Sequence, residues 1–188
     1  MSRHTSSITL GLCALLIAVL ASCSTAPKAV DRATFKVDAD TATKWFTNNV
    51  SGLQDQIDSS AAYIVFPDVA QWGIVITGGR RGRGALMRPD GTQEGWAAIG
   101  TFSLGLQAGV QGFKMFIVHQ DEATVVDFKA GKWTGSASAI AVGGDAGGVA
   151  SSPFTKGMAV YQGANTGLMA GVNVGLDNIK YQALGDEG

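Results

Sequence analysis

The chain has 188 residues with 14 basic and 15 acidic side chains, so its formal net charge is −1 at pH 7. This balance argues against a nucleic-acid partner, because nucleic-acid-binding domains present a broad basic surface. Only 15% of the residues are charged, compared with roughly 25% in typical soluble domains. The 26 glycines are about twice the average share. This composition favours one β-rich domain with closely packed backbones.

The first 22 residues have the features of a secretory signal peptide. Arg3 lies in a short polar start without acidic residues, and the apolar stretch 8–20 follows it. This stretch is too short to span a bilayer and has the length of a signal-peptide core. We therefore expect residues 1–22 to be removed from the mature protein.

Cys23 ends the tetrapeptide Leu-Ala-Ser-Cys at positions 20–23, which resembles the lipobox of bacterial lipoproteins. The resemblance implies cleavage before Cys23, a diacylglycerol attached covalently to its thiol, and anchoring in a membrane. Ser24 is similar to the residue that directs such lipoproteins to the outer membrane of Gram-negative bacteria, facing the periplasm. The alternative is an ordinary cleaved signal peptide in which Cys23 has no role.

After the signal peptide, the sequence predicts a tether followed by one domain. Residues 23–37 are polar and weakly patterned, so we expect them to connect the lipid to a domain that spans 38–188. Asp38 can cap a helix, and Ala42 and Phe46 follow it on one helical face.

The rest of the chain predicts short helices and a large sheet. Gly52 interrupts the helical pattern and allows either two short helices or one bent helix, and a further short helix at 121–128 is capped by Asp121. Apolar or alternating runs predict strands at residues 62–66, 72–77, 84–88, 96–99, 104–111, 113–118, 158–162 and 168–176. The predicted fold class is α+β, with N-terminal helices packed on a twisted, antiparallel, glycine-rich sheet. A barrel-like closure of that sheet is one alternative.

Four short motifs resemble, in order, those of the SYLF-domain family. They are an apolar strand ending in Phe66-Pro67, a glycine-rich segment with arginines at 78–86, Gly95-Trp96 followed by a Gly-x-Gln-x-Gly strand, and a closing motif at 160–172. The sequence departs from the family pattern at Arg81, at 119–121 and at 147–152. The resemblance implies a β-rich domain flanked by helices that binds membrane phospholipids, with bacterial members that are secreted lipoproteins.

Within nine positions the chain carries four arginines: Arg80, Arg81, Arg83 and Arg88. No acidic residue lies between Asp68 and Asp90. Guanidinium groups match phosphate geometry, and glycines expose backbone N–H groups to anions. Together with the family resemblance, this pattern predicts a glycine-rich turn whose four arginines bind phospholipid head groups. The alternative is a solvated turn whose charges are satisfied by water or by neighbouring acids.

No pattern in the sequence predicts catalysis, a cofactor or a metal site. His119 is the one histidine after the signal peptide, and no nucleophile motif surrounds it, so we interpret it as a surface residue. Asp121 is explained as a helix cap. The segment 143–145 is interpreted as a turn, because calcium requires several neighbouring carboxylates. We therefore predict that the protein is not an enzyme.

These features predict a lipoprotein of the outer membrane that binds phospholipids without catalysis at the periplasmic face. Its expected partners are membrane phospholipids, in addition to the lipid attached covalently at Cys23. Two other functions stay open. One is a structural adaptor that binds another protein of the cell envelope, and the other, less favoured, is a hydrolase of lipids or cell wall.

Overall fold

The computed structural model describes residues 25–74, 77–104, 109–132, 140–142, 149–164 and 179–186. A 3-10 turn at Ala29–Asp31 leads into the long helix α1, Arg32–Asn49, and the short helix α2 spans Leu53–Asp58. Of the two arrangements that Gly52 allows, the chain thus forms two separate helices. A third helix, α3, spans Glu122–Lys129. No helix in the described part of the chain is long and apolar enough to cross a membrane.

The described strands are β1 Val50–Ser51, β2 Ala62–Ile74, β3 Thr77–Met87, β4 Gln93–Leu104, β5 Gly109–His119, β6 Ile140–Val142, β7 Val149–Ala150, β8 Met158–Ala164 and β9 Ile179–Ala183. Seven of them form one sheet in the order β6-β8-β5-β2-β3-β4-β9, while β1 and β7 form a separate parallel pair. Neighbours in the large sheet are antiparallel except β6 and β8. The predicted α+β fold with a mostly antiparallel sheet is confirmed. Among the described strands the sheet is open, with β6 and β9 at its ends, so no barrel-like closure is observed there.

Strand β2 contains a bulge at Pro67. The register against β3 shifts between Val65 and Asp68, and the register against β5 shifts between Phe66 and Val69. Proline has no N–H to donate to a β-ladder, so the bulge lets the strand pass through Pro67. Because of the extra residue, Phe66 and Val69 both belong to the same core cluster although three positions separate them.

The sheet is packed on both faces. On one face, Ile64 of β2 belongs to a cluster that includes Phe128 of α3. On the other face, Tyr63 belongs to a cluster that includes Phe46 of α1. Successive residues of a strand point to opposite faces, so β2 supplies both clusters. Each fully buried apolar side chain contributes about 1.5–3 kcal/mol, and α1 is therefore held firmly against the sheet.

Helix α1 begins at Arg32, inside the segment that was predicted to be a tether. Its apolar stripe extends towards the N-terminus to Phe35, whose ring meets the Trp96 ring edge-on with 5.3 Å between the centroids. The other residues in the first turns of α1 are mostly exposed and polar, so the segment shows only a weak hydrophobic pattern in the sequence. The predicted start of the domain at residue 38 is therefore too late.

The chain is already attached to the domain at Thr25. The backbone N–H groups of Thr25 and Ala26 donate to Oε1 of Gln182 on β9, at 2.9 and 3.1 Å. Both residues are buried, with Ala26 only 3% exposed. The prediction of a free tether is wrong from Thr25 onward. Cys23 and the predicted strand at 168–176 lie outside the described residues.

The predicted glycine-rich turn is wrong, because residues 78–83 lie inside strand β3. Close packing against the neighbouring strand, and not a turn, explains why glycine occurs at these positions. An added Cβ at Gly82 would lie 2.8 Å from Cγ2 of Val69, and one at Gly84 would lie 2.7 Å from Cδ1 of Phe66. The backbone of β3 thus occupies space that a side chain would need, as is common for glycine within strands.

Two local predictions are confirmed. Asp121 caps α3, since its Oδ1 accepts a hydrogen bond from the backbone N–H of Thr124 at 2.9 Å. The chain also turns after β3, where Gly91 has a φ of 83° and its N–H donates to the carbonyl oxygen of Arg88 at 2.9 Å. Both signals are local, so they are readable from short stretches of sequence.

Candidate functional site

The four predicted arginines do not form one cluster. Arg80 and Arg81 are neighbours in β3, so their side chains point to opposite faces of the sheet. Nε of Arg80 donates to Oε1 of Gln71 at 2.9 Å, and its Cζ lies 5.9 Å from the centroid of the Phe113 ring. Arg81 and Arg83 line a groove on the other face, beside α1. Only these two of the four share a site.

Arg88 follows β3 and is held by carboxylates. Its Nε lies 2.9 Å from Oε2 of Glu94, and its Nη1 lies 2.7 Å from Oε2 of Glu122. Lys129 of α3 also pairs with Glu94. The hydrogen bond to Glu122 is the main reason that the pKa of Arg88 is raised above its usual value. We call Arg88, Glu94, Glu122 and Lys129 the arginine corner, and it joins the turn after β3 to α3.

A groove of about 650 Å³ lies between α1 and the sheet, and we call it the α1 groove. Its helical side is lined by Asp31, Thr34, Phe35, Asp38, Thr41, Ala42 and Trp45. Its sheet side is lined by Pro67, Asp68, Arg81, Gly82, Arg83 and Lys114, and Pro27 completes the lining. Arg80 and Arg88 are not among these residues. The α1 groove therefore combines both signs of charge with aromatic and aliphatic surface.

Trp45 and Lys114 contact each other in the α1 groove. Nζ of Lys114 lies 4.6 Å from the centroid of the Trp45 ring, a cation–π contact that fixes the ring orientation. The ring also packs on Gly163 of β8, where an added Cβ would overlap it. Burial lowers the pKa of Lys114, and the charge of Asp68 acts in the opposite direction.

Charges of opposite sign lie on the two sides of the α1 groove. Asp31 and Asp38 belong to the helical side, whereas Arg81 and Arg83 belong to β3. Among the residues that the structure describes, none of these four takes part in an ion pair within 4.0 Å. Arg81 is exposed and Arg83 is half-buried. Both guanidinium groups are therefore accessible to a ligand in the groove.

Several residues of the α1 groove were not predicted from the sequence. Asp31 lies in the segment that was predicted to be a tether, and Asp38 was predicted only as a helix cap. Lys114 had a recognisable signal, because it is the single charged side chain in the apolar stretch 113–118. A charge in such a strand needs either solvent or a partner, which here is the Trp45 ring.

His119 is a core residue, so its predicted surface position is wrong. It is 0% exposed, and its ring centroid lies 5.5 Å from that of Phe128. Burial lowers the pKa of His119 to about 4, although Asp121 acts in the opposite direction. The ring is consequently neutral at pH 7. In the described ranges, no three or more His, Cys, Asp or Glu residues are grouped so that they could hold a metal ion, and 143–145 lies outside those ranges.

The first two motifs of the SYLF resemblance lie in β2 and β3, and Gly95-Trp96 of the third lies in β4, whereas residues 105–108 of the third motif and residues 167–172 fall outside the described residues. The resemblance therefore rests on adjacent strands of one sheet. No model of a known protein family matches the chain, and no characterised protein matches it.

Proposed function

We propose that this protein is a lipid-anchored protein of the outer membrane that binds phospholipids at the periplasmic face without catalysing a reaction. The lipid binds in the α1 groove. One observation is central to this proposal: Arg81 and Arg83, which form no ion pair with any described residue, share a groove with aromatic and aliphatic side chains. The lipobox at Cys23 and the SYLF resemblance support the same function.

The α1 groove has the chemistry that a phospholipid requires. A guanidinium group can donate two parallel hydrogen bonds to a phosphate, and Arg81 and Arg83 place two such groups side by side. Phe35, Trp45 and Pro67 supply apolar surface for the glycerol and the first acyl carbons. The volume of about 650 Å³ also lies in the usual range of ligand sites, about 300–1,000 Å³.

Removing the two groove arginines should weaken lipid binding. The full chain, purified in a non-ionic detergent, would be mixed with phospholipid, and native mass spectrometry would measure the fraction carrying one bound lipid. We expect the double variant R81Q/R83Q to bind at least about tenfold more weakly, because each arginine near a phosphate contributes about 1 kcal/mol.

The matched control is Arg80→Gln, which removes one positive charge from the same strand but on the opposite face. We expect this variant to bind lipid as the parent does. Equal binding by the parent and by R81Q/R83Q would reject the α1 groove as the lipid site. A loss of binding free energy in Arg80→Gln that is half of the loss in R81Q/R83Q would show that only total charge matters.

The anchor is tested separately at Cys23. The Cys23→Ala variant should lose outer-membrane association, because it lacks the thiol to which the diacylglycerol would be attached. Membrane fractionation with detection of the full chain measures this. A Cys23→Ala protein that still fractionates firmly with the outer membrane would rule out acylation as the main attachment.

A second candidate function, binding to another envelope protein, is favoured by a different surface. Val30 of the 3-10 turn and Val37 of α1 are 82% and 63% exposed and lie seven positions apart in the sequence. Exposed apolar side chains on a helix are common in protein contacts. Replacement of these two valines by glutamate with unchanged lipid binding but loss of a cross-linked envelope partner would favour this adaptor function.

A further inference from the structure

The two sides of the α1 groove differ in charge, and this difference bears on which lipid fits. Asp31 and Asp38 lie seven positions apart, so both point to one side of the helical segment. Arg81 and Arg83 lie two positions apart in β3, so both point to the facing side of the sheet. The groove thus presents two aspartates on its helical side, opposite a sheet side where Arg81, Arg83 and Lys114 outnumber the single acid Asp68.

These opposite charges do not form ion pairs with each other. No ion pair within 4.0 Å joins Asp31 or Asp38 to either groove arginine, in the part of the chain that the structure describes. In the arginine corner, by contrast, Arg88 lies 2.9 and 2.7 Å from its two carboxylates. The groove keeps its charges apart, so a ligand with both signs of charge can satisfy both sides.

We propose that the α1 groove selects a zwitterionic phospholipid head group of the phosphoethanolamine class. The phosphate lies against Arg81 and Arg83, and the ammonium lies against Asp31 and Asp38. This inference rests on the proposed function. A purely anionic head group gains the arginine contacts but also faces carboxylates, whose repulsion offsets part of that gain.

A primary ammonium fits this groove better than a quaternary one. Quaternary ammonium groups are recognised by open aromatic faces. The Trp45 ring in the groove is already covered by Nζ of Lys114 at 4.6 Å and by Gly163. A primary ammonium instead donates hydrogen bonds, and the carboxylates of Asp31 and Asp38 accept them.

A competition experiment tests the selection. The full chain in non-ionic detergent would receive equal amounts of phosphatidylethanolamine and phosphatidylglycerol with identical acyl chains, and native mass spectrometry would compare the two one-lipid complexes. We expect about fivefold more phosphatidylethanolamine complex, which corresponds to about 1 kcal/mol. Phosphatidylcholine in a third arm should bind more weakly than phosphatidylethanolamine.

Two variants separate the acidic side from the general effect of charge. D31N/D38N should abolish the preference, because phosphatidylethanolamine loses its ammonium contacts and phosphatidylglycerol no longer faces the two carboxylates. The matched control is Asp40→Asn, which removes a carboxylate of the same helix that pairs with Lys36 at 3.6 Å and does not line the groove. Asp40→Asn should keep the preference. R81Q/R83Q should weaken both lipids.

The outcomes distinguish a failure of the lipid-binding function from a failure of the zwitterion selection. If neither lipid binds, or if R81Q/R83Q weakens neither, the lipid-binding function itself fails. If phosphatidylglycerol binds as well as phosphatidylethanolamine while R81Q/R83Q still weakens it, only the zwitterion selection fails. A final arm uses glycerophosphoethanolamine, which has no acyl chains. If this molecule binds as tightly as phosphatidylethanolamine, the ligand is not a lipid.

Discussion

The arginine corner and the α1 groove use the same side chain in opposite ways. In the corner, Arg88 is enclosed by Glu94 and Glu122, and it also donates to the carbonyl oxygen of Ala61 at 3.0 Å. In the groove, Arg81 and Arg83 face carboxylates without pairing with them, among the residues described. An arginine with satisfied donors stabilises the fold, whereas one that keeps its donors accessible can bind a ligand. Proximity in sequence does not separate these two roles.

The largest effect that we expect concerns His119, on the buried side of the arginine corner. Its carbonyl oxygen accepts from the N–H of Ala61, and its ring is neutral in the folded protein. The unfolded chain binds a proton below pH 6.5, whereas the folded protein does so only near pH 4. Stability is therefore complete above pH 6.5 and falls between 6.5 and 4, by about 3 kcal/mol.

Urea unfolding of the full chain in detergent at several pH values measures this loss. In the His119→Leu variant, the part of the pH dependence between 6.5 and 4 that belongs to His119 should disappear. If that variant does not fold, NMR titration of the His119 ring in the parent provides the test. A ring pKa near 6.5 in the folded protein would contradict the prediction.

A smaller effect is expected when the arginine corner is opened. Arg88→Met removes the guanidinium and leaves Glu94 and Glu122 without it, so we expect the free energy of unfolding to fall by about 2 kcal/mol, as for hydrogen bonds to charged groups. Urea unfolding at pH 7 measures the change. Lipid binding per folded molecule should be unaffected, because Arg88 does not line the α1 groove.

The smallest change in the free energy of unfolding should come from a substitution in the α1 groove. Arg81→Met removes an exposed arginine that no described residue pairs with, so its free energy of unfolding should change by less than about 0.5 kcal/mol. The same unfolding measurement compares it with Arg88→Met. Equal destabilisation by the two substitutions would remove the distinction between the corner and the groove.

Local signals in the sequence predicted the features that depend on a few neighbouring residues. The Asp121 cap and the turn at Gly91 are examples, since each requires hydrogen bonds over short separations. Gly84 was correctly predicted within a strand, whereas Gly82 was predicted in a turn, because a glycine in a turn and a glycine in a tightly packed strand look alike in the local sequence. Only the contacts with Val69 and Phe66 on the neighbouring strand separate the two.

The candidate site was only partly predictable for a similar reason. Arg81 and Arg83 stood out because no acid lies near them in the sequence. Asp38 and Lys114 come from α1 and β5, and they meet the arginines only because the helix crosses this face of the sheet. The charge arrangement of the α1 groove is thus a tertiary property that no sequence spacing contains.

The attachment of Thr25 and Ala26 to Gln182 would limit how far the domain can move from a membrane that holds an acylated Cys23. An extended residue spans at most about 3.3–3.6 Å, so an acylated Cys23, two residues before Thr25, would stay within about 7 Å of a fixed point on the domain. A flexible tether over residues 23–37 would instead have an end-to-end distance of about 20 Å. The α1 groove, which Pro27 helps to line, would therefore exchange lipids with the bilayer that holds the anchor and not with an opposing membrane.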